Sequence, residues 1–311
     1  VNNTLYVLCM VQNALGYKSR IRNYEIFKQQ MRRPGIALYT AEIAFGDAPH
    51  VIRPETYGDM ASHYLQLRTD CELWNKDGAL NLLAQRLPED AEYIVWADAD
   101  VVWTRPDWVQ ETIRLLQQYD VIQMFSHTQD LGASCQPVGK ILLSYYYRYV
   151  VCGRDFNTLR RNKEMITGLA WASKKSILSR VGMFPDWCVL SSGDRHMAAG
   201  FLGEMGSSFK GNLTEEYKLK CIRWGERARD VVQGNISYLP GLLLHYWHGE
   251  RNNRGYLKRW DVMSTFNPET DIVKDWQGLY RWTDRNPKLR DKFRMLMRER
   301  NEDEQGEVLI P

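Results

Sequence analysis

The chain lacks several features that would narrow its function at once. No apolar run approaches the roughly 20 residues of a bilayer-spanning helix, so no integral membrane association is expected. The first residues carry no secretory-leader pattern. The six cysteines (Cys9, Cys71, Cys135, Cys152, Cys188 and Cys221) form no C-x-x-C, which argues against a zinc site or a redox pair. Reduced thiols and a cytoplasmic setting are expected instead, with Cys9 inside an apolar stretch as the clearest buried case. There is no glycine-rich phosphate loop, internal repeat, low-complexity tract or obvious linker. Charge of one sign is also scarce: the net is only +3, too small to mark a nucleic-acid binder by itself.

What remains is an ordinary globular composition, 44% apolar and 25% charged over 311 residues, enough to bury a real core. Aromatics are plentiful, with 11 Trp and 17 Tyr. Most are expected to fill the core, although such rings also suit stacking on sugars or bases. Strands are expected over 5–12, 35–45, 92–97 and 121–125. Between them lie helical patterns over 20–31, where Ile21, Tyr24, Phe27 and Met31 share a face, over 75–87, ended by Pro88, and over 106–119, opened by Pro106. The second half is less regular, with a strand over 167–173, helices over 174–181, 215–229 and 286–300, and an apolar segment over 242–247. This alternation implies an α/β fold with a mainly parallel sheet. The simplest division is one catalytic domain over 1–265 and a basic helical extension over 266–311 packed on it.

The most informative segment is Tyr93-Ile94-Val95-Trp96-Ala97-Asp98-Ala99-Asp100, an apolar strand running into two carboxylates one residue apart. Open α/β sheets bind ligands beyond the carboxyl ends of their strands. Two crowded aspartates there repel one another. A hard divalent cation relieves that repulsion and bridges carboxylates to substrate phosphates. The plainer reading makes the pair a cap for the following helix, but Thr104 and Asp107 lie closer to its start.

At this point a resemblance emerges. The Asp98-Ala99-Asp100 block resembles the D-x-D of GT-A glycosyltransferases. Trp74-Asn75-Lys76-Asp77-Gly78 before it resembles the helix opening beside the nucleotide in those enzymes. The stretch over 168–186, followed by Ser192-Gly193-Asp194, looks like their strand, helix and turn leading to the acceptor site. The resemblance spans roughly the first two-thirds of the chain and implies a Rossmann-like GT-A fold with a nucleotide-sugar donor. It implies that Asp98 and Asp100 hold Mn²⁺ or Mg²⁺, and that Asp194 is the general base of an inverting displacement. The family often has Glu-Asp after the glycine; here Asp194 is followed by Arg195 and His196. The plainer reading of Asp194 is a helix N-cap. His245 and His248, flanking Tyr246-Trp247, match the late histidine that completes many such metal sites, with His248 slightly preferred. A mixed carboxylate–imidazole set leans toward Mn²⁺. Gln12, Asn13, Glu42, Lys76, Asp77, Ala99 and Arg254 are expected around the donor.

The acceptor is less legible. Arg281, Arg285, Lys288, Arg290, Lys292, Arg294, Arg298 and Arg300 form a basic tail, and Tyr145-Tyr146-Tyr147-Arg148-Tyr149 interleaves aromatics with a cation. Such patches suit a phosphate backbone and flipped bases. The Asn75–Asn81 region, the D-x-D with Arg105-Pro106-Asp107-Trp108, and the His245–Gly249 region also look like phage and base-J-type glycosyltransferases acting on hydroxymethylated pyrimidines in DNA. That likeness implies UDP-glucose as donor, DNA as partner and a phage-infected or bacterial cell. The alternatives are a polysaccharide or glycolipid transferase and an inactive sugar- or nucleic-acid-binding module. A nucleotidyltransferase also pairs carboxylates after a strand, but the 168–194 block resembles the sugar-transfer family.

Overall fold

The computed structural model describes residues 4–53, 63–161, 164–255 and 258–303. In chain order its elements are β1 (Leu5–Gln12), α1 (Lys18–Gln30), β2 (Ile36–Phe45), β3 (Tyr64–Thr69), α2 (Lys76–Ala84), β4 (Tyr93–Ala97), β5 (Val101–Trp103), α3 (Trp108–Gln118), β6 (Val121–Gln123), β7 (His127–Leu131) and β8 (Pro137–Ser144). They continue as α4 (Tyr145–Val151), α5 (Phe156–Arg161), β9 (Met165–Ile166), β10 (Ala170–Lys174), α6 (Lys175–Val181), α7 (Gly193–Phe201), α8 (Glu215–Val232), β11 (Ile236–Tyr238) and β12 (Leu242–His245). The last four are α9 (Lys258–Met263), β13 (Ile272–Lys274), β14 (Tyr280–Trp282) and α10 (Pro287–Arg298).

Seven strands form the main sheet in the order β11-β6-β10-β4-β1-β2-β3. Every pairing is parallel except those of β10, which runs antiparallel to both β4 and β6. The expected α/β class with a mainly parallel sheet is therefore the one observed. The continuous apolar runs of β1 and β4 follow from burial on both faces. Tyr6, Leu8, Ile94 and Trp96 join one core with α2, α6, α7 and α8, where Phe201 packs against Trp96, Trp171 and Trp224. Leu5, Val7, Cys9, Tyr93 and Val95 point the other way, into a core with Phe27 of α1 and Trp108 of α3. Trp108 stacks on Trp103 at 4.4 Å.

Local chemistry sets the helix ends. Thr214 caps α8, accepting from the Tyr217 N–H, and Glu215 and Glu216 occupy its first turn, where carboxylates complement the helix dipole. Asn286 caps α10, with Pro287 at its first position. Pro106 does not open α3 as expected; Asp107 is the N-cap and the helix begins at Trp108. Asp194 is likewise not a cap: Ser192 holds that position and Asp194 lies in the first turn of α7.

A second sheet, β5-β12-β7-β8-β9, was not expected from the sequence. The segment after residue 265 is also richer than a helical extension, since β13 and β14 form an antiparallel hairpin before α10. Its Phe266, Trp282, Leu289 and Phe293 belong to the same core as Leu8 and Trp96. Among the described residues no helix is long and apolar enough to cross a membrane.

Candidate active site

The carboxyl ends of β1 and β4 and the amino end of β10 meet at one edge of the main sheet, because Ala170 pairs with Ala97 and the Asp98 N–H donates to the Leu169 carbonyl at 2.7 Å. A cavity of about 640 Å³ opens there, lined by Gln12, Asp98, Asp100, Asp194, His245 and Arg254 among others.

The second sheet builds one wall. β12 pairs with β5, placing His245 opposite Val101, next to Asp100 in sequence, and the Tyr246 N–H donates to the Asp100 carbonyl. His245 Nε2 lies 3.7 Å from Asp100 Oδ1, and His248 Nε2 lies 3.6 Å from Asp100 Oδ2. The two Nε2 atoms are 3.2 Å apart. Asp100, His245 and His248 therefore form a cluster that could hold a metal ion. Each histidine turns its other nitrogen to a carboxylate. His245 Nδ1 is 2.8 Å from Asp130 Oδ1, and His248 Nδ1 is 3.9 Å from Glu302 Oε1. Asp100 Oδ1 is buried with no hydrogen-bond partner. An orphaned oxygen beside two converging imidazole nitrogens, each backed by a carboxylate, is a donor set that fits a divalent cation.

The charges of the cluster act strongly on one another. Burial would raise Asp100, but His245 and His248 hold it well below the usual carboxylate range. Burial would lower His245, yet Asp100 and Asp130 push it up to about 10. His248 is pulled down to about 4, by burial first and then by Arg254.

In the lining of the same cavity, Lys76 at the start of α2 bridges two carboxylates, with Nζ 2.5 Å from Asp98 Oδ1 and 3.2 Å from Asp194 Oδ1. Burial opposes its charge, but Asp194 and Asp98 outweigh that and raise the ammonium's pKa. Asp98 is thus Lys76's partner and lies outside the Asp100–histidine cluster. Its pKa rises to about 6 through burial, with Lys76 opposing. Asp77, deeper, is pushed up to about 8 by burial and by the Asp194 charge. The glycines here leave room for carboxylates: a Cβ on Gly168 would stand 2.8 Å from Asp194 Oδ2, and one on Gly193 only 2.2 Å from Asp77 Oδ2.

The remaining expected donor residues divide. Gln12 lines the cavity, but its amide is spent on the Leu73 carbonyl and the Asn75 N–H. Asn13 bonds to Tyr17 in a local turn. Glu42 is not brought to the cavity: it is buried, accepting from the Val51 and Ile52 N–H groups and from Tyr64. Ala99 lines the cavity. Arg254 does so too, donating from one terminal nitrogen to the Gly249 carbonyl while its buried Nε has no partner. Tyr256 and Leu257, just after Arg254, lie outside the described residues.

Part of the features read as a nucleic-acid surface is engaged within the chain. Arg294 and Arg298 both pair with Glu72, and Arg290 pairs with Asp284 and Asp291. Tyr145 and Tyr146 are buried, and Tyr147 packs on His127 and Tyr238. Sequence reasoning missed Asp130, Glu302 and Arg20, all brought to the site by distant chain. It also missed a convergence of Cys188, Cys221 and His196, all buried. Both ring nitrogens of that histidine are already hydrogen-bonded, to Ser208 and Tyr217.

No family model and no curated protein matches this chain. Among solved structures it is similar to S. aureus TarS residues 1–349 in complex with UDP-GlcNAc, at 9% identity over 97% of this chain and 68% of that one, with a TM-score of 0.47. It is also similar to glucosyl-3-phosphoglycerate synthase from Mycobacterium tuberculosis in complex with Mn²⁺, UDP and phosphoglyceric acid, at 9% identity over 90% of this chain and 86% of that one, with a TM-score of 0.39. Likenesses this distant add nothing to the α/β class already read from the sheet.

Proposed function

We propose that the protein is a metal-dependent GT-A-type glycosyltransferase, moving a sugar from a nucleoside diphosphate to a hydroxyl acceptor. The observation that carries this reading is that the Asp100–His245–His248 cluster and the Asp98–Lys76–Asp194 bridge line one cavity at the strand ends. Asp100, His245 and His248 would hold a divalent cation, Mn²⁺ in preference to Mg²⁺, which would supply Lewis-acid stabilisation of negative charge on the departing diphosphate.

The chain's own groups do the rest. Arg254, which lines the cavity, offers its guanidinium charge to a phosphate oxygen. Asp194 takes the proton of the acceptor hydroxyl. The acceptor oxygen then bonds to the anomeric carbon as the bond from that carbon to the phosphate oxygen breaks, with inversion, and the electron pair leaves on the nucleotide. Lys76 fixes Asp194 in place and keeps Asp98 and Asp194 from repelling one another. UDP-glucose is the donor and hydroxymethylated pyrimidine in DNA the acceptor that the sequence resemblance implies; a polysaccharide or glycolipid acceptor is the alternative.

The test is nucleotide release and transfer from UDP-, GDP- and TDP-sugars with Mn²⁺ or Mg²⁺, and with hydroxymethylcytosine DNA, hydroxymethyluracil DNA, plain DNA or saccharides as acceptor. Metal-dependent release that disappears in Asp100→Asn supports the reading. Stimulation by hydroxymethylated DNA alone supports the DNA acceptor, and indifference to DNA removes it. No release and no binding with any donor refutes the assignment.

A further inference from the structure

We propose that segment 300–303 is a strap that completes the metal site, with Glu302 as a positioning residue that holds His248 from its Nδ1 side and turns Nε2 toward Asp100 and His245. The inference rests on the metal-site reading above and adds to it a residue more than 50 positions beyond the last ligand.

Four observations converge on it. First, Glu302 is fully buried although it lies in an irregular segment after α10. A carboxylate is buried at such cost only where cations receive it, and Arg20 donates to it at 2.6 and 2.7 Å while Arg300 donates at 2.7 Å. Second, its Oε1 lies 3.9 Å from His248 Nδ1, a charge contact longer than a hydrogen bond. A carboxylate on that side favours the proton on Nδ1 and leaves the Nε2 lone pair for a ligand.

Third, the next residue anchors the strap. Asp303 accepts from the Lys18 N–H at 2.6 Å and the Ser19 N–H at 3.0 Å. These are orphan donors of the first turn of α1, whose own N-cap, Tyr17, makes no side-chain cap. Fourth, the loop carrying His248 is shaped to the strap. Gly249 has φ +91°, and a Cβ there would stand 2.9 Å from Glu302 Cα and 3.2 Å from the Arg300 carbonyl oxygen. The same loop is held from α1 by the Asn23 amide, which donates to the Trp247 carbonyl at 2.9 Å. The strap therefore ties α1 and the 245–249 loop together around one histidine.

The test is Mn²⁺ binding to the full chain, read from the electron paramagnetic resonance signal of free Mn²⁺, for wild type, Asp100→Asn, Glu302→Gln, Glu302→Ala, His248→Ala and Glu302→Ala/His248→Ala. Thermal melts check that each variant is folded, and ¹⁵N shifts of the His248 ring report its tautomer. Glu302→Gln is expected to weaken Mn²⁺ binding about 10- to 100-fold and to change the His248 tautomer. Glu302→Ala is expected to add nothing once His248 is gone. Gly249→Ala, which pushes the strap aside and leaves Glu302 intact, should weaken binding in the same direction. Binding lost in Asp100→Asn but kept within twofold in a folded Glu302→Gln overturns the strap alone, as does an equal Glu302→Ala effect with and without His248. Wild-type binding no tighter than Asp100→Asn overturns the metal reading and the strap with it.

Discussion

The Lys76 bridge makes the sharpest energetic prediction. Lys76→Met leaves Asp98 and Asp194 facing each other without their shared cation. Breaking a fully buried pair costs about 3–5 kcal/mol. Here the two carboxylates keep 30% and 31% of their side-chain surface exposed, and solvent draws such pairs toward the 1 kcal/mol or less of a surface contact. The expected loss is therefore about 1–3 kcal/mol, or about 2–10 °C of melting temperature for a chain of this size. The second half of the argument is recovery. Lys76→Met/Asp98→Asn removes a charge on each side, so the double variant should be more stable than Lys76→Met alone, as coupled partners are in a double-mutant cycle. Urea denaturation of wild type, both single variants and the double variant measures the coupling. A Lys76→Met midpoint equal to wild type, or a double variant no better than Lys76→Met, would refute the account of this bridge as an electrostatic unit.

Two further predictions concern the layer beneath the site. Burial pulls His196 down to about 3, so the unfolded chain takes up its proton first, near pH 6.5. Its stabilising contribution is therefore complete above pH 6.5 and lost as pH falls toward 3, by up to roughly tenfold in the folding equilibrium per pH unit. Denaturant midpoints from pH 7 to 4 should fall less steeply in His196→Gln, and parallel slopes would count against this origin. Gly200→Ala would set a Cβ 2.6 Å from Trp224 Cζ3 and 3.0 Å from Met205 Cε. In so tight a core this costs about 1–3 kcal/mol, whereas Gly206→Ala, with nothing within 4 Å, should stay within about 0.5 kcal/mol of wild type. Urea melts of the two variants decide it.

The sequence disclosed the parts of the fold whose signal is local. β1 and β4 are apolar throughout because both faces are buried, and a double-sided core leaves a readable run. The D-x-D and the two late histidines stood out through residue type and order. β7 was illegible for the opposite reason. Its sequence, His127-Thr128-Gln129-Asp130-Leu131, is polar, and it is a strand because β12 and β8 pair on either side and the buried Gln129 amide donates to the Asp130 and Val138 carbonyls. Asp130 could not be singled out before its pairing with His245, 115 residues away, was seen. Glu302 was hidden in a charged tail that reads as solvated surface. Glu42 misled because the end of a strand predicts proximity to a site, while its carboxylate is consumed by the Val51 and Ile52 N–H groups of the loop that follows.

Strand β10 runs against both of its neighbours in the main sheet. A sheet of purely parallel strands delivers only outgoing chain to its carboxyl edge. Reversing one strand delivers incoming chain to the same edge, so residues 165–169 arrive at the cavity from a different stretch of sequence than Asp98 and Asp100. Two stretches far apart in sequence thus line the cavity side by side, joined where the Asp98 N–H donates to the Leu169 carbonyl. A change of sequence before Met165 therefore reaches the cavity through β10, without passing through the β1–β4 register that positions Asp98.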